Sequence, residues 1–146
     1  MLTFTIPIQV RWADIDPNRH LRHSAYYDYA ATARVACFSQ LGLTNQQFNG
    51  LKTGPIVFRE EALFKKEVKF EDQITVDIGL VKARIDFSRW TIRHHLYKQD
   101  HSIAAIVTLD GAFMDLELRK LKIPEMVIRD AMEQFPKAEE FEFISP

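Results

Sequence analysis

Residues 24–41 limit the fold of this chain more than any other stretch. Tyr26, Tyr27, Tyr29, Ala30, Ala31, Ala33, Val35, Ala36, Cys37, Phe38 and Leu41 leave only a thin polar stripe near Asp28, Thr32 and Ser39. Ser24 suits the N-cap of a helix over this span, and Gly42 suits its C-terminal cap. A helix apolar on nearly all sides must be buried on most of them. The chain has 146 residues, 47% of them hydrophobic. That is enough for one domain, residues 1–146, with a single sizeable core. In so short a chain the element able to enclose a long helix is a curved sheet.

The rest of the sequence supplies that sheet. Residues 3–12 place Phe4, Ile6, Ile8, Val10 and Trp12 on one parity, the period of a half-buried strand. A polar loop over 13–23 ends it. A connector over 44–53 with room for one helical turn leads to Gly54-Pro55, which punctuates the chain. Four strand-like runs follow at about 56–70, 73–84, 87–98 and 102–116. They are separated by short polar breaks of the kind antiparallel hairpins need. Pro124 fits the first turn of a last, short helix at about 125–134, and the tail after Phe135 reads as loosely held. The fold class expected is therefore α+β: an antiparallel five-stranded sheet around a long helix, with a short C-terminal helix.

Composition narrows the function. The formal net charge is -1, so no basic field invites nucleic acid. The one cysteine, Cys37, lies in the apolar helix and reads as core; its isolation excludes an internal disulfide and fits a cytoplasmic location. No apolar run approaches the roughly 20 residues of a membrane span. The first residues, Met1 to Pro7, lack a basic leader followed by an apolar block, so no secretory signal is expected.

The chemistry is concentrated where the first strand meets the long helix. Val10-Arg11-Trp12-Ala13-Asp14-Ile15-Asp16-Pro17-Asn18-Arg19-His20-Leu21-Arg22-His23 holds two carboxylates and two imidazoles. It sits just before a helix start, where backbone N–H groups lack partners and the dipole favours negative charge. A carboxylate beside free amide donors is suited to acyl chemistry. Asp16 is then a base for water or a nucleophile, and the competing reading is a turn residue before proline. Asp14 falls on the same side if the strand continues, and is better read as structural, paired with Arg11 or Arg34. The pattern Asp14-x-Asp16-x-Asn18 opens like a calcium loop. It fails at Arg19, where glycine is needed, and at Ala25, where the bidentate glutamate belongs, so no metal is expected.

This segment, with His23-Ser24-Ala25-Tyr26 and the later Ala33-Arg34 and Leu41-Gly42, resembles the 4-hydroxybenzoyl-CoA thioesterase family of the hotdog fold. The order of elements fits that fold over nearly the whole chain. The resemblance implies an acyl-CoA thioesterase acting on a CoA or acyl-carrier-protein thioester without a cofactor. It implies Asp16 as the catalytic carboxylate, and His23 at the helix N-terminus with its amide polarising the thioester carbonyl. Tyr26 and His20 fall at the substrate, and Arg84 and Arg89, ahead of Lys65 and Lys66, are the candidates for the CoA phosphates. Resembling proteins build the site between two subunits, which implies a homodimer or a homotetramer. The chain departs from the family pattern at Asn18-Arg19-His20, where many members carry glycine, and at Arg22-His23, where many have a small pair. A hotdog hydratase acting on enoyl-CoA and a non-catalytic acyl-binding or assembly module are the alternatives.

Overall fold

The computed structural model describes residues 4–145; residue 3, where the first strand was expected to begin, lies outside them. Strand β1, Thr5–Gln9, leads through a single 3-10 turn, Trp12–Asp14, and a loop into helix α1, Ala25–Gln40. Helix α2, Asn45–Leu51, precedes the long strand β2, Thr53–Phe64. Strands β3 (Gln73–Asp77), β4 (Gly79–Arg84), β5 (Arg89–Tyr97) and β6 (Ile103–Asp115) follow, then helix α3, Met126–Glu133, and strand β7, Lys137–Ile144. The seven strands form one sheet. Its pairings are antiparallel except for β4 with β7.

This is the expected hotdog arrangement, with local differences. The first strand stops at Gln9 rather than Trp12, because the chain turns at Trp12–Asp14 and leaves Trp12 largely exposed. The run over 73–84 is two strands, so β3 and β4 pair with different stretches of β5. The tail after Phe135 is not loose. Its strand β7 lies parallel to β4, with Phe135 buried beneath it and the Phe141 and Phe143 rings in contact at 5.1 Å. Five strands thus become seven.

Helix α1 docks by one stripe. Ala25, Tyr26, Tyr29, Ala30, Ala33 and Cys37 are buried at the three- and four-residue spacing that puts side chains on one face. Val35 on another face is 56% exposed. The helix is thus covered on one side, not wrapped all round. Ser24 does not cap it. Its backbone is already helical, and its hydroxyl accepts from Arg22 instead of a helix amide. The expected last helix is present, two residues shorter than the span 125–134.

The sheet fixes the place of the site. Strand β2 pairs with β6 along its length, from Thr53 opposite Asp115 to Phe64 opposite Ala105. Past its end, the amides of Lys65 and Lys66 both donate to the Ala104 carbonyl, at 2.8 and 3.0 Å. The Leu21 amide then donates to the Val68 carbonyl at 2.7 Å. These bonds draw residues 64–68 against the loop before α1.

Candidate active site

The loop before α1 is a small hairpin. Ile15 bridges to Leu21, the Asp16 amide donates to the His20 carbonyl at 2.8 Å, and the Arg19 amide donates to the Asp16 carbonyl at 2.9 Å. Pro17 takes the first corner, as its fixed φ favours. Arg19 takes the left-handed corner at φ 68°. The Asp16 carboxylate is gripped by the turn it starts: Oδ1 accepts from the amides of Asn18 (2.9 Å) and His20 (3.2 Å). Its Oδ2 accepts no hydrogen bond among the described residues. Asp16 is thus a turn residue, as the competing reading held, and its half-buried carboxyl also lines a cleft of about 330 Å³.

The cleft is walled by His20, Leu21, His23 and Tyr26 on the helix side and by Phe64, Lys65, Lys66 and Glu67 on the sheet side. The buried Tyr26 and the half-exposed Phe64 meet edge to face at 5.0 Å. Burial pushes the Tyr26 phenol upward, so the ring serves the cleft as a neutral wall. His20 is tied to Glu67 by a 3.1 Å contact from Nε2. His23 is exposed at the start of the helix, and among the described residues no fold partner accepts from the amides of His23, Ser24 or Tyr26. A helix N-terminus with open amides therefore borders the cleft that Asp16 lines.

Asp14 lies elsewhere. Because the chain turns at Trp12–Asp14, it does not share a strand face with Asp16. It is buried, and accepts from Tyr29 Oη at 2.9 Å, Arg22 Nη2 at 3.0 Å and Arg11 Nη2 at 3.2 Å. Burial works to raise this carboxyl, and the bonds from Tyr29, Arg11 and Arg22 outweigh it, holding the group below the ordinary carboxylate value. Of the two partners expected, Arg11 is correct and Arg34 is not. The Arg34 guanidinium lies 3.0 Å from His94 Nε2 and 4.0 Å from Glu60. Burial, with Arg34 beside it, drives His94 down to about 3. That ring is neutral: Nδ1 donates to the Asp77 carbonyl at 2.8 Å and Nε2 accepts from Arg34.

Arg84 and Arg89 are not brought to Asp16 within one chain. They line a separate depression of about 250 Å³ with Ser88 and Lys122. Arg89 pairs with Ala112 on β6, whereas Phe64 pairs with Ala105. Seven residues of strand separate the two, about 23 Å. Phe64 and Glu67 were not anticipated. They lie more than forty residues from Asp16 in sequence, and only the β2–β6 register places them at the cleft. Cys37 is core as expected, with its thiol pushed up to about 12 by burial. Among the described residues, no three His, Cys, Asp or Glu side chains gather as metal ligands, and no helix is long and apolar enough to cross a membrane.

Several solved structures share this architecture. A hypothetical protein from Staphylococcus aureus, solved in complex with CoA, superposes with a TM-score of 0.85 at 16% identity, over 100% of this chain and 89% of that one. A 1,4-dihydroxy-2-naphthoyl-CoA thioesterase from Synechocystis gives 0.79 at 16% identity, over 88% and 94%. A DHNA-CoA thioesterase from Staphylococcus aureus gives 0.79 at 15% identity, over 90% and 89%. At such identities these likenesses establish the fold. Among curated proteins, none matches the sequence. The family model of the thioesterase-like superfamily matches residues 10–131, from the strand end before Asp16 into the last helix, and the chain belongs to that superfamily.

Proposed function

We propose that the protein hydrolyses an acyl-CoA thioester in the cleft beside Asp16. The observation that carries this reading is the pairing of an Asp16 oxygen that accepts no hydrogen bond among the described residues with the open amides at the start of α1. Thioester hydrolysis needs a group to deliver water or attack the carbonyl carbon, and donors for the oxygen that becomes negative. Asp16 is the general base or nucleophile, and the His23 amide is the oxyanion donor. Tyr26 and Phe64 enclose the acyl group, and His20, steadied by Glu67, borders the thioester. No metal or cofactor enters this chemistry. An acyl-carrier-protein thioester offers the same reacting bond and is the alternative form of substrate.

The working unit in this proposal is a homodimer, with a homotetramer as a pair of such dimers. Among the described residues strand β2 pairs with β6 alone, so one long edge keeps open backbone groups. Val57, Phe58, Leu63 and Phe64 along it are 44–51% exposed. A long apolar edge of this kind is a template for pairing with a second chain. In that assembly, Arg84 and Arg89 serve the CoA phosphates of the substrate held by the other copy, the one arrangement that reconciles their role with their distance from Asp16.

Thiol release from short, long and aromatic acyl-CoAs tests the reading, with wild type and Asp16→Asn side by side. Release by the wild type and its loss in the variant are expected. A wild type silent across the panel would sink the proposal, and water addition to crotonyl-CoA with the thioester intact would replace it with the hydratase.

A further inference from the structure

Hydrolysis through an acyl-Asp16 anhydride leaves one task without a residue. Once Asp16 Oδ2 is bonded to the acyl carbon, the carboxyl is no longer a base. Its Oδ1 stays engaged by the amides of Asn18 and His20, at 2.9 and 3.2 Å. Water still has to lose a proton to open the anhydride, so a second base must line the same cleft. Tyr26 aside, the other titratable residues there are His20, His23, Lys65, Lys66 and Glu67. The lysine ammonium groups are donors only. His23 is exposed, and among the described residues no carboxylate lies within 4.0 Å of its ring.

His20 differs. Its Nε2 lies 3.1 Å from Glu67 Oε2. The turn fixes its backbone on both sides: the amide donates to Asp16 Oδ1, and the carbonyl accepts from the Asp16 amide. A carboxylate only accepts, so in the neutral ring the proton sits on Nε2 and the lone pair stays on Nδ1. That Nδ1 has no partner among the described residues. A base oriented by a third group beside a nucleophile is the arrangement that activates an attacking group. Asp16, His20 and Glu67 also border a second cavity of about 660 Å³, which gives water another approach to them. We propose that His20, oriented by Glu67, is the base that delivers water to the acyl-Asp16 anhydride. Asp16 Oδ2 first bonds to the carbonyl carbon, and the C–S bond breaks with its electron pair leaving on the thiolate. His20 Nδ1 then takes a proton from water while the water oxygen bonds to the acyl carbon. The C–O bond to Asp16 breaks, returns its electron pair to the carboxylate and frees the acid. The proton on His20 passes to the thiolate, so thioester and water become acid and thiol. This rests on the thioesterase reading and adds the covalent route, with His20 as a second catalytic residue and Glu67 as its positioning residue.

Rapid-mixing thiol release separates the two steps, because the thiol leaves before water acts. The substrate is the acyl-CoA of the panel that the wild type turns over fastest. His20→Ala removes the ring and keeps the backbone bonds of the turn. It should release one thiol per site at close to the wild-type rate, then turn over roughly a hundredfold more slowly. Hydroxylamine attacks without first losing a proton, and should restore turnover in this variant and yield the acyl hydroxamate. Glu67→Ala should show the same burst with steady turnover down roughly tenfold. Glu67→Gln, whose amide oxygen still accepts from Nε2, should recover most of that loss. Glu67 lies outside the hairpin, so this second pair carries the test if His20→Ala does not fold. Unchanged steady turnover in His20→Ala and Glu67→Ala overturns the proposal. So does a first turnover slowed as much as the steady rate, which places His20 at C–S cleavage or substrate binding. Absence of thiol release by the wild type from every acyl-CoA strikes the thioesterase reading instead.

Discussion

Asp14 and Asp16 are two residues apart, carry the same side chain and meet opposite fates. Asp14 is buried beneath Tyr29 and two arginines. Asp16 is half-buried in a turn, with one oxygen held by two amides and the other bordering a cleft. The 3-10 turn at Trp12–Asp14 separates them by rotating the chain between the two side chains. A carboxylate with every oxygen paired to cations and a phenol has no role left except to fix the loop. A carboxylate held on one side only is positioned and still open to a reactant. The pair of aspartates therefore divides the work: one builds the loop, the other faces the cleft it creates.

The sharpest way to break this division is to neutralise each in turn. Asp16→Asn preserves shape, and its turn bonds can persist through the amide oxygen. It should lower thiol release about a thousandfold, equivalent to about 4 kcal/mol in the barrier, with the urea midpoint nearly unchanged. Asp14→Ala should do the reverse. It leaves the Tyr29 hydroxyl and Arg22 without their acceptor, and should cost about 2–3 kcal/mol of stability. Residual activity should follow the folded fraction. If Asp14→Ala abolished turnover in protein shown to be folded, or Asp16→Asn unfolded the chain, the comparison would be wrong.

Much of this was legible in the sequence, and the limits have physical causes. The long helix, the strand run and the loop between them are local patterns, and local periodicity and turn residues report them. Asp14 was legible as structural because Arg11 stands within turn reach of it; the choice between Arg11 and Arg34 depended on which way the chain turned, and Tyr29 and Arg22 reach it only through the folded loop. The Trp12 parity misled, because alternation shows which side chains would share a face if a strand continued, and not that it continues. Strand β7 was missed because its Glu-rich sequence, Lys137-Ala138-Glu139-Glu140-Phe141-Glu142, looks solvated. Arg93 of β5 meeting Glu140 at 3.2 Å, the Phe87 ring standing 6.0 Å from Phe143, and the pairing with β4 hold it in the sheet, and all three depend on residues distant in sequence. Phe64 and Glu67 reach the cleft through the β2–β6 register, which no short window of sequence encodes.

Acid sharpens the comparison further. The Asp14 carboxyl titrates below its ordinary value of 3.8 in the folded protein. Its contribution to stability is therefore fully present above the unfolded value, and is lost as pH falls through the lower folded value. Unfolding free energy should decline from about pH 5 downward, and Asp14→Asn should flatten that part of the profile while lowering stability at neutral pH. Urea unfolding of both proteins across the acid range measures it. An unaltered slope in the variant would mean that other carboxylates, such as the Ser102-bonded Asp100, dominate the acid response.

The smallest effect concerns the far end of the sheet, and it separates the single chain from the dimer. Arg84 and Arg89 lie about 23 Å along the strand direction from the Phe64 end, so in an isolated chain they have no part in the reaction at that chain's Asp16. In the proposed dimer they meet the phosphates of the other copy's substrate, in a solvated setting where each charge is worth little. The Arg84→Ala, Arg89→Ala double variant should therefore raise KM for acyl-CoA about two- to fivefold at unchanged kcat, with the effect shrinking as salt rises. The decisive arm uses mixed dimers of this variant with Asp16→Asn. If the basic pair serves the neighbouring site, every active Asp16 in such a mixed dimer faces the intact arginines of the Asp16→Asn copy, and its KM should return to the wild-type value. A KM that stays high there would assign the arginines to their own chain, against the distance along β6. A KM that never rose in the double variant would remove both arginines from substrate binding.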